Sequence, residues 1–191
     1  MQKFLAVGVS LLGAVALAGC SGGAPGAATT PTGATTKTSA TSAKPNRPQE
    51  LKLSGKQPCE LLPQQEWAKF FIEKQGKARE NENFGGPECY YSNDVGYFDL
   101  HLNPSQGIEY WTEAETSEKI EYVDPVKGFP AVERGDTRDP GRCDVIVDVA
   151  DGQYLRTVAS IDKGRESQVP PRCELAHQLA EVAVTTLMNG N

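Results

Sequence analysis

Five cysteines, two histidines, several runs of carboxylates and a set of aromatic residues are the side chains here with chemistry to offer. Zinc ligation needs closely spaced pairs such as Cys-x-x-Cys, and Cys20, Cys59, Cys89, Cys143 and Cys173 contain none. A Ser-His-Asp site needs a nucleophile held beside His101 or His177, and no Gly-x-Ser-x-Gly elbow is present. There is also no His-Glu-x-x-His, no P-loop and no Gly-x-Gly-x-x-Gly. The expectation is therefore no catalytic set, no metal and no cofactor. Helical spacing would scatter Glu113, Glu115, Glu118 and Glu121 around an axis, whereas calcium needs six to eight converging oxygens. Asp136, Asp139 and Asp144 flank a Pro-Gly loop and read as solvated. Arg134-Gly135-Asp136 is the integrin-ligand tripeptide, a match short enough to arise by chance. The aromatic residues are the better ligand candidates. Tyr91, Tyr97, Tyr110 and Trp111 would line an apolar pocket if they share an open face. Tyr90 and Tyr122 belong to the same set, and filling a core is the competing role.

What carries these residues begins with an address. Residues 1–19 hold one cation, Lys3, then an apolar run to about Ala18, a stretch shorter than a permanent membrane span. This is the pattern of a secretory signal peptide. Leu17-Ala18-Gly19-Cys20 resembles the lipobox of bacterial lipoproteins. That resemblance implies cleavage before Cys20, lipid on its sulfur, and a domain on the extracytoplasmic face of the cell membrane. Lipidation also explains the odd cysteine and leaves four to pair. Residues 20–49 read as a disordered tether: from Ser21 on there is no acidic or aromatic residue and no Leu, Ile or Val.

Residues 50–191 read as one globular domain. It holds all 25 acidic residues but 15 of the 19 basic ones, a formal charge of −10. Phosphate backbones would repel it, which argues against a nucleic-acid partner. Four cysteines allow three pairings; joining neighbours, 30 residues apart in both cases, would staple each end of the domain separately. Pro63 suits a helix start, and the spacing predicts a helix over Gln64–Gln75 with Trp67, Phe70 and Phe71 on one stripe. Strands are expected at Cys89–Ser92 and Tyr97–Leu102. In the second, Phe98, Leu100 and Leu102 alternate with Tyr97, Asp99 and His101, predicting one buried and one wet face. Asp144–Ala150 and Tyr154–Ile161 flank Asp151-Gly152 as a hairpin. A bulged turn there pairs Val147 with Leu155 and keeps the valines on one face. A polar helix within Ile108–Ile120 and short strands at Tyr122-Val123 and Phe129–Glu133 come next. The last helix spans Arg172–Met188. The fold class is α+β: a single antiparallel sheet of about five or six strands, two main helices packed on it, and two disulfides.

The order of parts resembles an actinobacterial lipoprotein family, the domain of unknown function 3558. The matching elements are the lipobox and tether, Pro58-Cys59-Glu60-Leu61-Leu62, Cys89-Tyr90-Tyr91, Gly128 to Val132, and Cys143 opening a Val-rich strand. Cys173-Glu174-Leu175-Ala176 opens the last helix in the same way. Leu62 and Tyr91 stand where the family often has Thr or Ser and Trp. The resemblance supports the location and the pairing Cys59 with Cys89 and Cys143 with Cys173, and implies no activity. The expected function is a non-catalytic binding or accessory domain for a small apolar or glycolipid ligand or an envelope protein. The alternatives are a hydrolase using carboxylates or His101, and a purely structural module.

Overall fold

A computed structural model describes residues 46–113, 119–135 and 138–190. Seven strands form one sheet: β1 (Lys77–Glu80), β2 (Pro87–Asn93), β3 (Gly96–Asn103), β4 (Ile120–Val126), β5 (Phe129–Gly135), β6 (Arg142–Ala150) and β7 (Gln153–Ile161). Their order is β1-β2-β3-β7-β6-β5-β4, with every neighbouring pair antiparallel. Two meanders, β1 to β3 and β4 to β7, are thus zipped together by the β3–β7 ladder. The strand count exceeds the expected five or six. One strand that alternation could not reveal is β1, because all four of its residues are exposed and three are charged. It is an edge strand, where charge guards against unwanted pairing.

The β6–β7 hairpin has the expected register, with Val147 opposite Leu155 and Ile146 opposite Arg156. Gly152 takes the left-handed conformation (φ 68°) that the bulged turn requires. That register places Val145, Val147, Val149, Leu155 and Ala159 in the main core. The long helix α2 (Arg172–Asn189) covers this face with Leu175, Leu179, Ala183, Val184 and Leu187. Small alanines at 176, 180 and 183 let it approach closely, and the Thr157 hydroxyl donates to the Ala176 carbonyl at 2.7 Å. The expected helix at 64–75 is instead a seven-residue 3-10 helix, Gln64–Phe70. Phe71 ends it in a left-handed conformation (φ 57°), so Phe70 is buried while Phe71 points outward. A four-residue helix α1, Glu109–Thr112, is the described part of the segment read as a polar helix.

Cys59 bonds Cys89 and Cys143 bonds Cys173, with Cα separations of 5.0 and 5.2 Å. The first ties the turn at Pro58–Glu60 to β2; the second ties the start of β6 to the start of α2. The signal segment, Cys20 and the tether up to residue 45 lie outside the described residues. The ordered contacts begin ahead of Glu50. Arg47 pairs with Asp148 and Asp151, and the Leu51 amide donates to the Val149 carbonyl at 2.8 Å. Among the described residues no helix is long and apolar enough to cross a membrane.

The wet face expected for β3 is the main correction. Asp99 is 4% exposed and His101 fully buried, because this second face of the sheet is covered as well. Phe84 and α1 lie over part of it, forming a smaller apolar cluster with Ile108, Trp111, Ile146 and Tyr154.

Replacing Cys143 and Cys173 together by Ala should lower unfolding stability by about 3–4 kcal/mol, the loop-closure value for this spacing. Reversible urea unfolding under oxidising conditions measures it, and an unchanged midpoint would refute the prediction.

Candidate functional site: an arginine-lined basin on the second face

Period-two alternation puts the charged residues of six strands on one surface. In one row Arg79 lies opposite Glu88, Glu88 opposite His101, and His101 opposite Arg156. In the next, Tyr90 lies opposite Asp99, Asp99 opposite Val158, Val158 opposite Asp144, and Asp144 opposite Arg134. Tyr97, Ser160 and Arg142 form a third.

Asp144 is the hub. Its carboxylate accepts from Arg142 Nε at 2.7 Å, Arg142 Nη2 at 3.1 Å, Arg134 Nη1 at 3.2 Å and Arg156 Nη1 at 3.3 Å. Glu88 accepts from Arg79 and Asn81 and lies 3.9 Å from Arg156. Aromatic rings cover the flat sides of the guanidinium groups. Arg156 sits 4.7 Å from the Phe84 centroid, Arg134 5.2 Å from Trp111, and Arg79 4.3 Å from Tyr90. Carboxylates at the edges and π-faces above are the surroundings in which a guanidinium tolerates burial.

A basin of about 830 Å³ opens on this surface. Five of the chain's eight arginines line it (79, 134, 138, 142 and 156) and no lysine does. Glu88, Asp99, Tyr90 and Tyr97 also line it, with the two tyrosine rings 5.5 Å apart, as do the exposed Glu80 and Glu82. Burial, then the neighbouring charge of Glu88, pushes the Asp99 carboxyl up to about 7 against the pull of Arg156, Arg79 and Arg142. Asp99 Oδ1 is buried without a hydrogen bond; Arg79 Nη2 stands 3.6 Å away. Burial, then Arg156, lowers His101 to about 4, so it is neutral near pH 7. The neutral ring donates from Nε2 to the Gly85 carbonyl at 2.6 Å, leaving Nδ1 as a buried acceptor with no hydrogen bond.

The four candidate ligand aromatics do not share a face. Tyr97 lines the basin. Tyr91 points into the main core, where its hydroxyl reaches the Cys59 carbonyl at 3.4 Å. Trp111 is buried in the second cluster, 4.9 Å from Phe84, with the partly exposed Tyr110 beside it. Tyr122 is 80% exposed on β4. His177 lies on α2, 3.3 Å from the Asp124 carbonyl. Arg134 is buried against Asp144 and cannot present an adhesion tripeptide; Asp136, Glu115 and Glu118 lie outside the described residues. Glu133, Cys143 and Cys173 bring potential ligand atoms together, but both sulfurs are consumed in the disulfide. Apart from Arg134 and Asp144, which were weighed in other roles, the charged residues in and around the basin were not among the sequence candidates. Their signal was opposite charge at alternate positions of otherwise apolar strands, as in Arg142-x-Asp144 and Asp99-x-His101.

Asp99 and His101 act on stability in opposite directions. Asp99 keeps its proton in the folded state up to about 7, against 3.8 as the ordinary value. Acidification from pH 7 to 4 therefore stabilises the fold through Asp99. His101 resists protonation down to about 4, against 6.5, so acidification across that window destabilises through His101. Relative to wild type, Asp99→Asn should lose stability from pH 7 to 4 and His101→Gln should gain it, each by on the order of 3 kcal/mol. Urea unfolding across that range tests this; parallel profiles for all three proteins would disprove it.

No curated protein and no solved structure matches the chain. Residues 15–186 match the profile of DUF3558, described as a protein of unknown function, and the chain belongs to that family.

Proposed function

We propose that this protein is a lipid-anchored lipoprotein of an actinobacterial cell envelope, displayed on the extracytoplasmic face, whose domain binds a small polar ligand carrying an oxyanion. The observation that carries the reading is the basin with five arginines and no lysine, in a domain that is otherwise strongly acidic. Guanidinium groups match the planar geometry of carboxyl and phosphoryl oxygens better than ammonium groups do. The wall is predominantly polar, which moves the ligand away from the apolar class suggested by the aromatic residues alone. The disulfide-bonded frame supports a preformed site. Lipid on Cys20 and the tether beyond it supply the anchor and the reach.

A second reading, a carboxylate-dependent hydrolase, draws on one observation. Asp99 holds its proton near neutrality beside Glu88, as a general acid does. Non-catalytic binding is favoured because Glu88 is engaged by Arg79 and Asn81 rather than open to a water.

Titrating the full chain in non-ionic detergent with glycerol phosphate and with glucuronate tests the site by calorimetry. At least one should bind, and Arg142→Gln should weaken it about tenfold or more, while Tyr122→Ala leaves it unchanged. Release of inorganic phosphate from glycerol phosphate would favour the second reading. For the anchor, mass spectrometry of the amino-terminal peptide should find diacylglycerol on Cys20, and Cys20→Ala should move the protein from the membrane to the soluble fraction. An unmodified Cys20 would defeat the anchor.

A further inference from the structure

The basin contains one group that its charge balance does not explain. Asp99 is 4% exposed, lines the basin, and leaves Oδ1 without a hydrogen bond. Of the other carboxylates lining the basin, Glu88 is engaged by Arg79 and Asn81, and Glu80 and Glu82 are solvent-exposed; the neighbouring Asp144 is engaged by three arginines. Arg79 Nη2, 3.6 Å away, is an ion-pair partner but too far for a hydrogen bond; a buried polar atom without a hydrogen bond costs about 1–3 kcal/mol, which a ligand that closes this group in would help recover. The groups facing Asp99 are Arg79 from β1, Glu88 and Tyr90 from β2, Arg142 and Asp144 from β6, and Arg156 from β7. Tyr97 and His101 flank it on its own strand. An anion drawn in by Arg79 and Arg142 would come up against Asp99. An ionised Asp99 would repel it. A protonated Asp99 would instead donate a hydrogen bond to it from the carboxyl that lines the basin.

Resting on the reading of the basin as an oxyanion site, we propose that Asp99 couples ligand binding to proton uptake: the oxyanion binds to the protonated carboxyl, whose O–H donates to a ligand oxygen. Where Asp99 is ionised in the free protein, one proton enters from solvent for each ligand bound; where it is already protonated none does, and no covalent bond to carbon forms or breaks. Because Asp99 titrates at about 7, the coupling falls in the neutral range. Binding should be tight and flat below that value and weaken above it. The slope above it is up to tenfold per pH unit, the limit for one linked proton. The ligand class is a carboxylate or a sulfate or phosphate ester, whether free in the envelope or carried on a lipid headgroup.

The test uses the full chain in non-ionic detergent with glucuronate and inorganic sulfate as probes, neither of which changes charge between pH 5.5 and 8.5. Calorimetry at four values across that range gives the affinity. Buffers of different ionisation enthalpy give the proton count. Wild type should lose affinity about tenfold from pH 7.5 to 8.5 and take up close to one proton per ligand at the upper end. Asp99→Asn keeps a hydrogen-bond donor but cannot titrate. It should hold the low-pH affinity within about threefold throughout and take up no proton. Wild-type binding that is independent of pH, or an Asp99→Asn variant with the wild-type pH slope, overturns the coupling while leaving the basin reading intact. Absence of binding by both proteins at every pH, with Asp99→Asn folded by its unfolding curve, overturns the basin reading and the coupling with it. Vesicles of phosphatidylcholine with one-tenth phosphatidic acid, compared with glycerol phosphate, distinguish a headgroup from a free ligand.

Discussion

Burying a guanidinium costs several kcal/mol unless carboxylates lie against it, and this sheet buries Arg134 and Arg156 around one carboxylate, Asp144. Much of the second face follows from that requirement. Three arginines from three strands converge on Asp144, so β5, β6 and β7 must keep their register for the charges to cancel. Arg156 carries the network on to Glu88 on β2, which in turn holds Arg79 on β1. A slip of one residue in any of these strands would turn its charge into the apolar core beneath α2. The ion network and the core therefore specify the same register from opposite sides of the sheet.

The two faces divide the labour. The apolar face carries α2, both disulfides and most of the buried hydrophobic surface. The second face has a small aromatic cluster at one side and an open, charged basin beside it. Arg47 engages Asp148 and Asp151 at the β6–β7 turn, while Arg142 stands at the other end of β6. Six residues of strand, roughly 20 Å, separate these positions, so Arg47 fastens the chain at the end of β6 away from Arg142.

The apolar face was legible because burial on one side leaves a period-two pattern. Val145, Val147 and Val149 were enough to choose the bulged hairpin over the tight one, and the register agrees. The alternation of Phe98, Leu100 and Leu102 was read correctly, and its complement was not. Asp99 and His101 look like solvent-facing residues, because a single strand cannot show that Arg156 and Glu88 will sit opposite. A charge network spread over six strands has no local signature. The same reasoning accounts for β1, visible only through its pairing with β2. The 3-10 helix stops early because the chain reverses at Phe71, which the apolar stripe alone could not foretell.

Stability alone does not account for the second face. Well-packed hydrophobic residues in place of a buried ion network are often neutral or stabilising by about 1–4 kcal/mol, and the aromatic cluster around Trp111 shows that this surface can carry an apolar covering. Arg156 keeps a buried Nε without a hydrogen bond, and Asp99 and His101 each keep a buried polar atom in the same condition. Three such atoms lie within one patch, a cost that an apolar substitution at each position would remove. Register specification explains the paired charges, which meet their partners inside the fold. It does not explain the unpaired atoms or the basin above them. Of the three, Asp99 and Arg156 line the basin while His101 is fully buried outside its lining, so a ligand in the basin would act on the first two.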